Sequence, residues 1–262
     1  MDMTRVSCCT YPLRERPITE AMDVIASAGF CQLDVLGTMP HLSLDPRECD
    51  PEALLSAAQA RGLRIANLGT YAGREFASDD PAAQERELQQ LRRAIDLAAM
   101  FGARSIRVRA GKDDQACIQR IVPWFRQGAA YAAERGVYMG VENHGGGISG
   151  NPRLCVELAE QVGSPYFGVL YEPCNLMQGG VDYRDALEIV RDHIVHVHLK
   201  DGAVTERGFS RTMLGEGQIH MRWVVDQLAA LGYQGTLALE YELPSPPPEV
   251  GLKQWYDIFQ SM

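Results

Sequence analysis

The chain alternates short apolar segments with longer amphipathic segments eight times, and this alternation restricts its possible folds more than any other feature. The short segments are rich in β-branched and other apolar residues, which predicts strands over 4–9, 31–36, 63–69, 104–109, 137–143, 167–172, 194–199 and 236–241. The longer segments have helical spacing and frequent Pro, Asp or Gly at their ends, which predicts helices over 18–28, 51–61, 81–101, 114–135, 152–161, 183–191, 219–231 and 249–260. Strict alternation of this kind indicates a parallel sheet with right-handed connections.

The number of predicted strands favours a sheet that closes on itself over an open one. An open nucleotide-binding sheet usually carries a glycine-rich phosphate loop after its first strand, whereas this chain continues with CCTYPLRERP at that point. The proline-rich stretch 244–248 lies between the last strand and the last helix, where it is typical of a rigid loop. No linker divides the chain, so we expect residues 1–262 to form a single α/β domain, a (β/α)8 TIM barrel.

Charge and composition argue against several classes of partner. The chain has 34 acidic and 25 basic side chains, a net charge of −9, whereas binding to a nucleic-acid backbone depends on clustered Lys and Arg. It lacks the long apolar run of a membrane span and the pattern of a signal peptide. We therefore expect a cytoplasmic protein with neither nucleic acid nor membrane as a partner. We also expect the seven scattered cysteines to be reduced thiols.

Ionisable side chains recur at the ends of the last four predicted strands. Strand alternation places one of them on the inward face of each strand: Glu142, Glu172, His198 and Glu240. The carboxyl ends of barrel strands meet at one face, and converging carboxylates repel one another unless protons, basic residues or a cation neutralise them. Oxygen ligands with one imidazole predict a divalent metal ion, with Mn²⁺ preferred and Mg²⁺, Co²⁺ or Zn²⁺ as alternatives.

Five sequence runs resemble the xylose-isomerase-like barrel superfamily, the sugar phosphate isomerase/epimerase family. They occur in order at strand ends: VENHGG (141–146), FGVLYEPCNL (167–176), HVHLKD (196–201), LGEG (214–217) and LALEYE (237–242). The resemblance implies a metal held by Glu142, Glu172, His198 and Glu240. The family usually has Asp followed three residues later by His after the sixth strand, whereas this chain has Glu172 and Asn175.

The resemblance also implies chemistry at a carbon next to a carbonyl group. A metal stabilises the enediolate that forms when the proton on that carbon is removed, and carboxylates transfer the proton. In the epimerases that this chain resembles, the glutamates on strands five and eight are both metal ligands and the acid/base pair; here they are Glu142 and Glu240. His144 is a further candidate for a base or for a substrate contact, or a hydrogen-bonded residue at the barrel rim.

Several flanking residues are candidates for binding a polyhydroxy substrate. Arg107 and Arg109 share the inward face of the fourth strand, and we expect at least one of them to neutralise the acidic cluster. Arg211 lies four residues before the first glycine of LGEG, where the resembled epimerases have a substrate-binding arginine. The set is completed by Asn175 and by His41 in the loop after the second strand. We expect Lys200 and Asp201, which follow His198, to form a local ion pair.

Three functions remain open at this point. The first is a metal-dependent isomerase or epimerase of a sugar, a keto-sugar or a related polyol. The second is a metal-dependent lyase, a dehydratase or a subunit that cleaves 3-keto-glycosides or C-glycosides, which the combination of Glu172, Asn175 and His144 favours. The third is a non-catalytic binding subunit. The expected partners are a small carbohydrate and further copies of the chain in a homo-oligomer, or a second subunit in a hetero-oligomer.

Overall fold

The computed structural model describes residues 2–111 and 114–262, and its strands follow the predicted alternation. The strands are Val6–Cys9 (β1), Gln32–Leu36 (β2), Arg64–Gly69 (β3), Ser105–Val108 (β4), Tyr138–Glu142 (β5), Phe167–Tyr171 (β6), Ile194–Leu199 (β7), Asp201–Thr205 (β8), Gly208–Thr212 (β9) and Leu237–Leu239 (β10). In this described part of the chain, eight strands form a closed barrel in the order β1-β10-β7-β6-β5-β4-β3-β2. The expected (β/α)8 TIM barrel is therefore confirmed.

Helices connect the barrel strands. They are Ile18–Ala28 (α1), Pro51–Ala60 (α2), Pro81–Phe101 (α3), Ile118–Ala133 (α4), Gly147–Gly150 (α5), Pro152–Val162 (α6), Pro173–Gln178 (α7), Tyr183–Val190 (α8), Met221–Ala230 (α9) and Pro248–Ser261 (α10). The short helices α5 and α7 and the antiparallel hairpin of β8 and β9 were not predicted. Among the helices of residues 2–111 and 114–262, none has the length and apolar character that crossing a membrane requires.

Side chains at the helix ends explain where the helices begin and stop. Asp50, Asn151 and Asp182 each accept hydrogen bonds from two backbone N–H groups in the first turns of α2, α6 and α8. Such caps satisfy amides that have no partner within the helix. Gly29 and Gly102 follow α1 and α3 with φ values of 107° and 70°, a left-handed conformation that favours glycine and ends a helix.

Internal contacts define two compact units, of which the first comprises residues 2–66 and 197–262. In this unit β1 pairs in parallel with β2 and β10, and β10 pairs in parallel with β7. The register aligns Cys9 with Asp34 and Ala238 with His198. Because aligned residues of neighbouring parallel strands present their side chains on the same face, this register determines which polar groups meet.

The second unit comprises residues 67–196, and in it β5 pairs in parallel with β4 and β6. Aromatic rings contribute to its core, with ring centroids 5.1 Å apart between Phe76 and Phe125 and 5.0 Å apart between Phe125 and Phe167. At Gly168 an added Cβ would lie 2.1 Å from the carbonyl oxygen of His193. The backbones approach so closely there that only glycine fits.

Candidate active site

His198, on β7, lies in a buried array of polar side chains in the first unit. Its Nε2 atom lies 2.9 Å from Oδ2 of Asp34 on β2 and 4.0 Å from Sγ of Cys9 on β1. Its Nδ1 atom lies 3.7 Å from Oε2 of Glu240, which directly follows β10. The imidazole is thus held between two carboxylates, one at each ring nitrogen.

The surroundings of this array determine which groups carry protons. Burial opposes the charged imidazolium of His198, but the carboxylates of Asp34 and Glu240 outweigh burial, so the pKa of His198 lies well above its ordinary range. Burial also disfavours the thiolate of Cys9, and Asp34 adds to this effect, so the pKa of Cys9 is far above its ordinary value. The Cys9 thiol therefore stays protonated at neutral pH.

Glu240 belongs to a row of alternating charges in the same unit. The ammonium group of Lys200 donates a hydrogen bond to Glu240 and lies 3.4 Å from the carboxylate of Glu242. The Nε group of Arg211, on β9, donates to Glu242 at 2.9 Å. Burial alone would raise the pKa of Glu240, but Lys200 and His198 outweigh burial and hold that pKa well below its usual range. The Glu240 carboxylate is therefore ionised at neutral pH.

The prediction of a local ion pair between Lys200 and Asp201 is wrong. Lys200 contacts the glutamates after β10, and consecutive residues of an extended chain point in opposite directions. Within the described residues, the Asp201 carboxylate accepts hydrogen bonds of 2.8–3.1 Å from four backbone N–H groups, those of Gly202, Gly215, Gly217 and Ile219. Asp201 thus fastens the LGEG loop to the start of β8.

Glu142, at the end of β5 in the second unit, lies beside two arginines of the fourth-strand region. Its Oε2 atom is 3.1 Å from Nη1 of Arg107 and 3.6 Å from Nη1 of Arg109. Arg107 also donates to the backbone carbonyls of Thr70 and Gly69, at 3.1 and 3.0 Å. The side chain of Arg107 is 8% exposed and that of Arg109 is 21% exposed. Arg109 is therefore the better placed of the two to reach a bound molecule.

Glu172, which directly follows β6, caps the short helix α7. Its two carboxylate oxygens accept hydrogen bonds from the backbone N–H groups of Cys174, at 3.0 Å, and Asn175, at 2.6 Å. The side-chain amide of Asn175 donates to the carbonyl of Asn143 at 3.1 Å. These bonds fix the carboxylate of Glu172 at the start of α7.

The candidate histidines His144 and His41 differ in exposure. His144 lies in the exposed segment between β5 and α5. His41 is buried, with Nδ1 2.8 Å from Oγ1 of Thr10 and Nε2 3.0 Å from the carbonyl oxygen of Leu13. Because a carbonyl oxygen only accepts, Nε2 carries the proton and Nδ1 accepts from the Thr10 hydroxyl. Both ring nitrogens of His41 are thus hydrogen-bonded to residues at and after the end of β1, and its contact with a substrate stays a prediction.

Cys9, Asp34 and His198 form a group of potential metal ligands whose donor atoms lie within 4.8 Å of one another. Position at a strand end predicts His198 as a ligand but neither Cys9 nor Asp34. The available signal was Asp34 itself, the one charged residue in the buried strand QLDVL. Together with Glu240, the buried oxygen and nitrogen donors around His198 suit a divalent cation, whereas the protonated Cys9 thiol does not act as a ligand in that form.

Comparison with known proteins places this arrangement in a family. Residues 22–260 match the family described as Xylose isomerase-like TIM barrel. The proposed L-ribulose-5-phosphate 3-epimerase SgbU of Escherichia coli (strain K12) is 29% identical over 240 residues, which cover 84% of this chain and 82% of SgbU.

Solved structures show the same fold. The structure of an L-ribulose 3-epimerase has a TM-score of 0.80 at 18% identity and covers 98% of this chain and 94% of its own. A xylose isomerase-like TIM barrel protein from Mycobacterium smegmatis, in complex with magnesium, has a TM-score of 0.78 at 17% identity. The match covers 95% of this chain and 89% of the Mycobacterium smegmatis chain. With its fold, its buried array and a family match over most of its length, the chain belongs to the xylose isomerase-like TIM barrel family.

Proposed function

We propose that this chain is a divalent-metal-dependent epimerase or isomerase of a sugar, a keto-sugar or a related polyol. The observation that carries the proposal is the buried imidazole of His198 between the carboxylates of Asp34 and Glu240. A buried imidazole and carboxylate array in a barrel of this type suits metal-assisted proton transfer. The names of SgbU, a proposed L-ribulose-5-phosphate 3-epimerase, and of the L-ribulose 3-epimerase structure support a sugar epimerase.

The proposed metal ligands are the four strand-end residues, Glu142, Glu172, His198 and Glu240. They end or directly follow β5, β6, β7 and β10, which are neighbours in the barrel order. Three carboxylates and one imidazole suit Mn²⁺, and Mg²⁺, Co²⁺ and Zn²⁺ accept the same donor types. When bound, the ion supplies a Lewis acid that stabilises the negative charge of an enediolate.

Glu142 and Glu240 are the proposed acid/base pair. Epimerisation removes a proton from one face of the carbon next to a carbonyl and returns a proton to the other face, so it needs two groups. Lys200 donates a hydrogen bond to Glu240 and fixes its carboxylate beside His198. Arg107, fixed by two backbone carbonyls, orients the carboxylate of Glu142.

The proposed substrate contacts come from side chains that retain some exposure or lie next to the ligands. Arg109 and Arg211 are partly exposed, and their guanidinium groups offer several donors to sugar hydroxyls or to a phosphate. His144 is exposed, and its proposed role is to contact a substrate hydroxyl or to act as a second base. Asn175 offers a side-chain amide beside the proposed ligand Glu172.

The test is a product assay in deuterium oxide with manganese-loaded protein and a panel of free and phosphorylated ketopentoses and of ketohexoses. We expect an epimer or isomer that has gained deuterium at the carbon that exchanges its proton. An ultraviolet-absorbing enone without an epimer would assign the lyase function instead. Metal binding without any turnover of the panel would favour the binding subunit.

Variants connect the assay to the site. Glu240→Gln removes the proposed base and should abolish turnover and deuterium uptake. The matched control is Glu249→Gln, because Glu249 lies on α10 in an exposed ion pair with Arg16. Retention of turnover in Glu240→Gln would contradict the assignment of the base.

A further inference from the structure

We infer that Asp34 is a positioning residue that selects which nitrogen of His198 faces the metal ion. Its carboxylate accepts a hydrogen bond from Nε2 of His198, which keeps a proton on that nitrogen and leaves Nδ1 to bind the metal on the side of Glu240. This inference rests on the proposed function, because it takes His198 to be a metal ligand. It adds a residue, on β2, that the strand-end motifs do not contain.

The two ring nitrogens of His198 have different surroundings. Nε2 lies 2.9 Å from Oδ2 of Asp34, a hydrogen-bond distance, and Nδ1 lies 3.7 Å from Oε2 of the proposed ligand Glu240. A carboxylate accepts but does not donate when ionised, so a ring nitrogen at this distance from Asp34 is the one that carries hydrogen. In metal sites generally, such an outer carboxylate fixes both the tautomer and the orientation of the ligating imidazole.

Burial makes this orientation difficult to reverse. Asp34 is 3% exposed and His198 is 1% exposed, so a flipped ring would break a buried hydrogen bond to a carboxylate at a substantial energetic cost. The strand register adds a constraint. Asp34 is aligned with Cys9 where β2 pairs with β1, and His198 is aligned with Ala238 where β7 pairs with β10. The orientation of the ring is therefore set by the barrel strands.

Cys9 offers an alternative arrangement that the inference excludes. Its Sγ atom lies 4.0 Å from Nε2 of His198, so a metal bound by Cys9, Asp34 and His198 would use Nε2 in place of Nδ1. Nε2 of His198 lies 2.9 Å from Oδ2 of Asp34, well inside its distance to Sγ of Cys9, so the carboxylate is the hydrogen-bond partner of Nε2. We therefore assign Cys9 to packing beside the ring.

The test compares Asp34→Asn with Cys9→Ala in the full chain. Asp34→Asn preserves shape but lets the amide donate to Nε2, which favours the opposite tautomer. We expect Asp34→Asn to weaken Mn²⁺ binding, measured by calorimetry, by about 10- to 100-fold, the usual effect of losing such a partner. Cys9→Ala should bind Mn²⁺ with the affinity of the wild-type chain.

A second readout does not depend on affinity or activity. In zinc-loaded protein with ¹⁵N-labelled histidine, long-range proton–nitrogen spectra should show one zinc-responsive ring with hydrogen on Nε2 and metal on Nδ1. Metal on Nε2, loss of binding in Cys9→Ala, or unchanged binding in Asp34→Asn would each overturn the inference and leave the proposed function standing. A wild-type chain that binds neither ion would remove the proposed function and the inference with it.

Discussion

Lys200 and Glu240 form an ion pair that is almost completely buried, with the two residues 3% and 5% exposed. Lys200 follows β7 and Glu240 follows β10, and these strands are aligned at His198 and Ala238. The pair therefore depends on the strand register of the barrel. It also fixes the position and the charge of the carboxylate that we propose as a base.

Replacing Lys200 by methionine should lower the free energy of unfolding by about 3–5 kcal/mol, because it removes the ammonium group that hydrogen-bonds a buried carboxylate. The double variant Lys200→Met/Glu240→Gln should recover part of this loss. Lys253→Met is the control, since its exposed pair with Asp257 on α10 should contribute less than about 1 kcal/mol. Urea denaturation measures all three, and a Lys200→Met chain as stable as wild type would contradict the importance of the pair.

Arg107 should not tolerate lysine. The guanidinium of Arg107 donates to Gly69, Thr70 and Glu142 at once, and a lysine ammonium cannot reproduce that geometry. We expect Arg107→Lys to lower the free energy of unfolding by about 1–3 kcal/mol, the cost of buried polar groups left without partners. Arg109→Lys, at a more exposed position, should have a smaller effect in the same denaturation experiment; equal effects would contradict this account.

Glu172 should affect both folding and metal binding. Glu172→Ala removes the cap of α7 and should lower the free energy of unfolding by about 1 kcal/mol or more. Asp182→Ala is a matched control, because Asp182 caps α8 in the same way from an exposed position. Both variants should be less stable in urea, but only Glu172→Ala should lose affinity for Mn²⁺ in calorimetry. Equal Mn²⁺ affinities would remove Glu172 from the ligand set.

His41 should make the chain less stable in acid. Burial lowers the pKa of His41 below the 6.5 of an unperturbed histidine, although hydrogen bonds to backbone carbonyls oppose this. As the pH falls below 6.5, the unfolded chain therefore binds a proton that the folded chain does not, and the free energy of unfolding decreases. His41→Gln should flatten this dependence in urea titrations above and below pH 6.5. An unchanged slope in His41→Gln would refute the assignment.

The barrel could be predicted from the sequence because hydrophobic periodicity and helix-end residues act locally. The bounds of α1 and α3 agree with the prediction, and β7 does as well. The helix α7 was missed because it has six residues, too few for a periodic pattern. The hairpin of β8 and β9 was missed because its strands are short and exposed, and its sequence resembles that of a loop.

Partners within the site were harder to predict than positions along the chain. The sequence predicts an ion pair of Lys200 with its neighbour Asp201, whereas Lys200 contacts Glu240 and Glu242, about forty residues away. Asp34 was not predicted because it lies in the middle of β2, and the prediction considered only polar residues at strand ends. Both errors concern contacts between strands, which depend on register, and register is not readable from one strand alone.

The central claim is that His198 and Glu240 hold a catalytic divalent metal ion. Plasma mass spectrometry of purified wild-type chain, His198→Ala and Glu240→Gln tests it most directly, with circular dichroism to show that the variants are folded. We predict near-stoichiometric manganese, or another divalent ion, in the wild type and its loss in both folded variants. A wild-type chain that contains no metal and cannot be loaded with Mn²⁺, Mg²⁺, Co²⁺ or Zn²⁺ would contradict the claim.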